Sequence, residues 1–324
     1  MNKKIKMILT GVCAAAMVVS MTGCRYVSHG LKFGTAHTGG VYQEFGAHFG
    51  NILNHNDSAL QVKTKITAGS AANLRLLNKD YIQLALAQND MATAAYYGKG
   101  KYKGDKSMQN FRAIAGLYTE QCQIVVRKDS KIRTIDDLEG KTINTEEKES
   151  GSNQNAKEIL SAYGLSSKTV HVKHWKYSKA MQALKDKKVD AVFITAGAKT
   201  DAIADLNKTT PIRLLSIDAK HQKRILKANP YLVESRVPAN TYDGQTAAIQ
   251  TVGVRCVFLV KKNLPEATVK EITELLFKYK THMQGKVSAN LDYTPKKAVE
   301  SITIPFHKGA ADYYKSKGIT VKTK

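Results

Sequence analysis

The sequence predicts an α/β fold of two lobes joined at a hinge, with the second lobe inserted into the first. Three observations carry this. Short apolar runs alternate with amphipathic helical stretches, the pattern of sheets with crossover helices. The alternation restarts near residue 123, and the segment 254–324 returns to strand plus helix. Turns rich in glycine and hydroxyls follow the apolar runs, as at the strand ends of open α/β sheets.

The elements follow in order. Leu31–Thr35 reads as a strand, Gly34–Gly40 as a turn, and Val41–Leu53 as a helix with Phe45, Phe49, Ile52 and Leu53 at helical spacing. Leu60–Thr67 is a strand, and Ser70 can cap a helix carrying Leu74 and Leu77. Strand Ile82–Ala87 precedes a short helix, Met91–Tyr97. Phe111–Tyr118 and Gln123–Val126 are two further strands. In the second lobe, strand Lys141–Asn144 leads through Glu149–Asn153 into a helix bearing Ala156, Ile159, Leu160 and Tyr163, which Gly164 stops. Val170–His174, Val189–Ile194 and Ile212–Ile217 are strands, with a helix over Ser178–Lys185. Gly253–Val260 is a strongly apolar strand, and Leu264–Met283 reads as one long helix. Lobe 1 is therefore expected over 31–122 and 254–324, lobe 2 over 123–253, with the hinge near Cys122 and Cys256.

The N-terminus reads as a secretory leader. Lys3, Lys4 and Lys6 precede an uncharged apolar stretch, Met7–Met21, too short to be a stable span. Residues 1–23 are the expected signal peptide. Met21-Thr22-Gly23-Cys24 resembles a lipobox, so Cys24 is the expected lipidation site and 24–30 the lipidated N-terminus and tether. The mature protein would then be extracytoplasmic and lipid-anchored. Cys122 and Cys256 remain, as two buried thiols or one disulfide.

The chain's 324 residues are 43% hydrophobic, an ordinary globular share, which argues against global disorder. Its formal charge is +23, but the lysines are scattered and no nucleic-acid-binding motif accompanies them. No nucleic-acid partner is expected, and the basic surface fits anionic lipid or cell-wall polymer. Metal and enzyme chemistry find little support. His171 and His174 lack a cysteine or carboxylate companion, no Gly-x-Ser-x-Gly elbow occurs, and Asp136-Asp137 and Glu146-Glu147 read as solvated surface. No cofactor is implied.

Five stretches suit binding. Gly34–Tyr42 offers Thr35, Thr38, Gly39, Gly40 and Tyr42, either as a cradle for an anion at a helix start or as a plain tight turn. Ala68–Asn73 offers Ser70 and Asn73, and Gln88–Asp90 offers Gln88 and Asp90. Ser150-Gly151-Ser152 opens a second helix, as an anion site or a simple N-cap, and Thr195–Gly197 ends a strand. Asp90 and Glu120 either receive an ammonium or cap turns, and His37 meets ligand or solvent. A small molecule bearing carboxylates can bridge the two lobes.

These motifs resemble, in order, those of the TAXI family, the extracytoplasmic solute receptors of TRAP transporters. The resemblance covers about 31–319 and rests on the following stretches. Gly34-Thr35 with Thr38-Gly39-Gly40-Val41-Tyr42 comes first, then Thr67-Ala68-Gly69-Ser70 with Asn73-Leu74, and then the block Asp80–Asp90. Arg112–Glu120, Asp137–Lys141, Ser150-Gly151-Ser152 and Asp190–Ala198 follow. Pro305-Phe306-His307-Lys308-Gly309-Ala310 with Tyr313-Tyr314 closes the series. Ala36 and His37 stand where the family has glycines, Gln43-Glu44 replaces Tyr-Pro, and Lys199 and Lys308 replace prolines.

The resemblance implies a periplasmic-binding-protein-like (type II) fold without catalysis, acting as a monomer. It also implies a small carboxylate or glutamate-like amino acid as ligand and TRAP membrane permease subunits as partners; the lipobox adds the expected lipid anchor. Two alternatives are the same fold serving an ABC importer or sensor, and a basic surface adhesin or immunogenic lipoprotein.

Overall fold

Why the apolar runs become strands is visible in what they bury. In the computed structural model, which describes residues 30–104 and 108–324, every residue of β3 (Leu84–Gln88) and β7 (Ala191–Ala196) is buried. Both strands lie inside a sheet covered on its two faces, so their patterns are continuous rather than alternating. The expected leader and Cys24 lie outside the described residues.

Before β3 come β1 (Lys32–Gly34), α1 (Val41–Asn56), β2 (Lys63–Lys65) and α2 (Ser70–Asn78), and α3 (Asn89–Tyr97) follows it. Next is β4 (Phe111–Arg127), then β5 (Thr142–Asn144), α4 (Gly151–Ala162), β6 (His171–Lys173) and α5 (Tyr177–Lys185). After β7 come α6 (Asp201–Thr209), β8 (Ile212–Leu214), α7 (Ala219–Ala228), β9 (Leu232–Val237) and β10 (Ile249–Lys261). The chain ends with α8 (Glu266–Lys278), α9 (Lys280–Gln284) and α10 (Lys308–Ser316).

The strands run in the order β2-β1-β3-β10-β4-β7-β5-β6, with β8 beside β4 and β9 beside β10. The pairings β1–β2, β1–β3, β5–β6 and β5–β7 are parallel, and β10 is antiparallel to both β3 and β4. Buried apolar side chains divide into one core from residues 31–118 and 256–314, with Phe33, Phe45, Phe49 and Phe258 in ring contact, and two cores from residues 122–254. Strands β4 and β10 run through both groups. The division falls between Tyr118 and Cys122 on β4 and between Val254 and Cys256 on β10. Both cysteines are free, buried thiols.

Two expectations are corrected, and two helices were not foreseen. Phe111–Tyr118 and Gln123–Val126 are one strand, because β10 pairs with β4 through the polar Thr119–Gln121 and β7 pairs with it from Gln121 onward. The helix expected over Leu264–Met283 breaks at Tyr279, whose hydroxyl is held by Asn56 Oδ1 at 3.0 Å. Helices α6 and α7 carry no expectation in the sequence. Each buries only two side chains, too few to write an apolar stripe.

Candidate functional site

In the orders β2-β1-β3 and β6-β5-β7, successive crossovers leave the central strand in opposite directions. Such reversals open a crevice at the strands' carboxyl ends. The turns entering α1 and α4 lie at these two crevices, and the crevices face each other. The cavity between them is lined by Ala36, Gly40, Val41, Tyr42, Gly69, Ser70, Gln88, Glu120, Glu146, Ser150, Gly151, Ser152, Tyr177, Thr195 and Ala196. Its free volume is about 30 Å³, room for about two waters.

The lining is built from helix starts. The first N–H groups of a helix have no intrahelical partner, and Val41, Tyr42, Gly151 and Ser152 are first-turn residues. Three serines orient the turns: Ser70 Oγ accepts from Gln88 N at 3.1 Å, Ser150 Oγ from Asn153 N at 3.0 Å and Ser152 Oγ from Thr195 N at 2.8 Å. Helix α2 has no side-chain cap of its own. Ala71 N and Ala72 N instead donate to the Glu149 carbonyl, at 3.0 and 3.2 Å, from the opposite half.

A carboxyl group sits at the centre. Tyr42 Oη donates to Glu120 Oε1 at 2.7 Å and Gln88 Nε2 to Glu120 Oε2 at 3.1 Å. Burial pushes the Glu120 carboxyl up to about 8, against the lowering effect of those two donors. Gln88 Oε1, fully enclosed, has no partner. Glu146 is also buried, and among the described residues neither Lys nor Arg lines the cavity. Beside it, burial raises Asp90 to about 7. Its Oδ2 lies 3.3 Å from Asn155 Nδ2 and 3.4 Å from Asn229 Nδ2, both on the opposite half.

Further contacts join the halves at the rim. Arg75 Nε and Nη2 each donate to the Glu149 carboxylate at 2.8 Å. His37 Nε2 lies 3.2 Å from Glu146 Oε1 and 2.9 Å from Glu147 Oε2. Burial lowers the imidazole's pKa, but the two carboxylates more than offset this and leave it raised.

Of the residues expected to bind, the structure brings Gly40, Tyr42, Ser70, Gln88, Glu120, Ser150, Gly151, Ser152 and Thr195 to one cavity. The others lie elsewhere. Thr35 Oγ1 donates to the Lys65 carbonyl, and Asn73 Nδ2 ties down the carbonyls of Thr35 and Leu86. Thr38 and Gly39 line a separate groove outside, Asp90 bridges the halves, and Gly197 packs against Ala289 and Val41.

The surface reading of Glu146 is overturned, and His37, expected to meet ligand or solvent, meets Glu146 and Glu147 instead. His37 is 6% exposed and Glu146 3%, because each covers the other across the interface. Tyr177 of the lining carries no expectation, because it opens α5 one residue before the expected start.

Among the described residues, no group of three or more His, Cys, Asp and Glu is placed to hold a metal, and no helix is long and apolar enough to cross a membrane. A family model described as the NMT1-like family matches residues 33–318. PhnD1 of Prochlorococcus marinus (MIT 9301), solved with methylphosphonate, superposes with a TM-score of 0.54 at 12% identity, over 81% of this chain and 90% of that one. A protein of Bordetella bronchiseptica RB50 gives 0.52 at 15% identity, over 79% and 75%. The ligand-binding core of GluR0 from Nostoc punctiforme, solved with L-glutamate, gives 0.48 at 18%, over 79% and 98%. The fold is thus a mixed α/β, periplasmic-binding-protein-like one.

Proposed function

The chain belongs to the NMT1-like family, and from that premise we propose that it is a solute-binding protein whose two lobes close on a free amino acid. One observation carries the reading: helix starts from both halves converge on a cavity that holds the buried Glu120 and Glu146, the unpaired Gln88 Oε1 and no cation. The first-turn N–H groups and serine hydroxyls suit a carboxylate. Glu120 and Gln88 Oε1 suit an ammonium. A simple dicarboxylate brings no donor to Glu120 or to Gln88 Oε1, so the lining favours the amino acid. The solute binds without chemical change.

The cavity is too small for such a solute with the lobes as they stand, so binding requires the lobes to part about β4 and β10 and to close on the solute less tightly than they stand here. In this reading lobe 1 is 31–122 with 254–324 and lobe 2 is 123–253, and the protein is extracytoplasmic, held by lipid on Cys24. The resemblance to the TAXI family supports delivery to TRAP-type membrane subunits.

Calorimetry of the protein with L-glutamate, L-glutamine, L-alanine and glutarate tests the ligand class. At least one amino acid is expected to bind and glutarate to fail. Glutarate binding as tightly as the best amino acid, or no amino acid binding, overturns the reading. For the transporter, neighbouring genes for fused TRAP membrane subunits support the assignment, and a neighbouring ATPase gene overturns it.

A further inference from the structure

A second cavity, of about 510 Å³, lies behind the strands that join the halves. Its walls include Asn89, Thr119, Arg255 and Glu300 from one half and Tyr231 and Val233 from the other. Successive side chains of a strand point to opposite faces, so Glu120 lines the front cavity while Thr119 lines the rear one. The rear space is large enough for a small organic molecule.

The polar groups there are mismatched among themselves. Asn89 is 1% exposed, and its Nδ2 donates to the Ser301 carbonyl at 2.8 Å while its Oδ1 has no partner. A buried acceptor left unpaired is costly and marks a place where a donor belongs. Arg255 is not that donor. Its guanidinium is held by Asp292 at 2.9 Å and by the Gly116 carbonyl at 3.3 Å. Glu300 is exposed and in no ion pair among the described residues. The apolar side is Tyr231 together with Val233, which is 46% exposed. Lys297, also a lining residue, is exposed.

We propose that this rear cavity is a second binding site, taking a small primary amine with an apolar stem: the ammonium on Asn89 Oδ1 and the Glu300 carboxylate, the stem on Tyr231 and Val233. Its occupancy is linked to closure of the front cavity, and this linkage rests on the two-lobe reading. Rotation about β4 and β10 that opens the front narrows the rear, so an amine that fills the rear favours the closed front. The connection is short. Gln88 lines the front, Asn89 the rear, and Asp90 contacts Asn229, which adjoins the rear-wall residues Pro230 and Tyr231.

The test uses three probes of one shape: benzylamine, benzyl alcohol and benzoate. Calorimetry is expected to show benzylamine binding at least tenfold more tightly than either other probe. Glu300→Gln and Tyr231→Ala, both on side chains outside the cores, are each expected to weaken it at least fivefold. Loss of binding in Glu120→Gln but not in Glu300→Gln would move the amine to the front cavity and overturn the site, as would equal binding of all three probes.

Spin labels on Ile66→Cys and Gln182→Cys, which line the outer groove from the two halves, read closure. Benzylamine is expected to shorten their separation. Benzylamine bound with an unchanged separation overturns the linkage and leaves the front-site reading to its own amino-acid test.

Discussion

Gly151 lies so close to the side-chain amide of Gln88 that a Cβ on it would fall 2.1 Å from Oε1. The two residues belong to opposite halves, and glycine at 151 is what allows α4 to approach β3. Gln88 is buried, tied to Glu120, and borders the cavity.

Gly151→Ala therefore either drives the Gln88 amide into the solute's place or holds the halves apart. Overpacking of this kind costs about 1–3 kcal/mol. Amino-acid affinity is expected to fall at least about tenfold, equivalent to about 1.4 kcal/mol. An unchanged Kd by calorimetry would show that the approach is not needed for binding.

Glu120 and Asp90 set a pH dependence of stability. Both carboxyls are raised in the folded protein, to about 8 and about 7, from ordinary values of 4.5 and 3.8. The folded state therefore binds more protons than the unfolded chain across that interval, and stability falls as pH rises toward 8. The melting temperature is expected to be higher at pH 5.5 than at pH 8.5. Glu120→Gln, which keeps the shape and removes the titration, should raise the pH 8.5 melting temperature by about 3 °C or more. A melting temperature that rises with pH contradicts this.

The same group predicts proton release. A solute ammonium beside Glu120 favours its ionised form, so binding near pH 7 should expel up to about one proton. Calorimetry in buffers of different ionisation enthalpy measures it directly. Proton uptake, or none in wild type, would place the ammonium elsewhere.

His37 favours closure at lower pH. The groups facing it are Glu146 and Glu147 from the loop after β5, and Lys176 and Tyr177 at the start of α5. Its pKa is raised from 6.5 in the closed form, so its contribution is fully present below 6.5 and is lost as pH rises through the raised value. The spin-label separation between positions 66 and 182 should lengthen from pH 6 to pH 8.5, and His37→Gln should reduce that change. The same lengthening in both proteins would remove His37 from the account.

Arg75 and Glu149 make a well-formed pair that should matter little. Both side chains are substantially exposed, at 39% and 45%, and water screens them. Arg75→Ala is expected to cost about 0.5 kcal/mol of closure, roughly a twofold loss in affinity. The backbone bonds from Ala71 and Ala72 to the Glu149 carbonyl do not depend on the Arg75 side chain. A tenfold loss would show that the pair, rather than the backbone, joins the halves.

The local motifs at Gly40, Tyr42, Ser70 and Ser150–Ser152 were legible because they are turn chemistry: glycine and hydroxyls placed where an apolar run meets an amphipathic one. Asn73 carried the same signal and proved to be a backbone tie, since its amide is spent on the carbonyls of Thr35 and Leu86. Glu146 was misread, and His37 was left between ligand and solvent, for the opposite reason. Nothing beside them in the chain hides them, and each is buried by a partner from the other half. Helix α7 went unseen because its inward face offers only Ile225 and Leu226 beside the polar Gln222, too few to write an apolar stripe.

What the sequence by itself determined is the succession of strands and helices, the return of the chain to its first core, and the glycine-and-serine turns at the helix starts. These follow from periodicity and turn preferences, which act over a few neighbouring residues. The tertiary structure alone decided that the cavity is acidic, that Asp90 and His37 join the halves, and that Asn89 faces rearward. Those properties arise from desolvation and contact between segments far apart in the chain, and no short stretch of residues encodes its own distant neighbour.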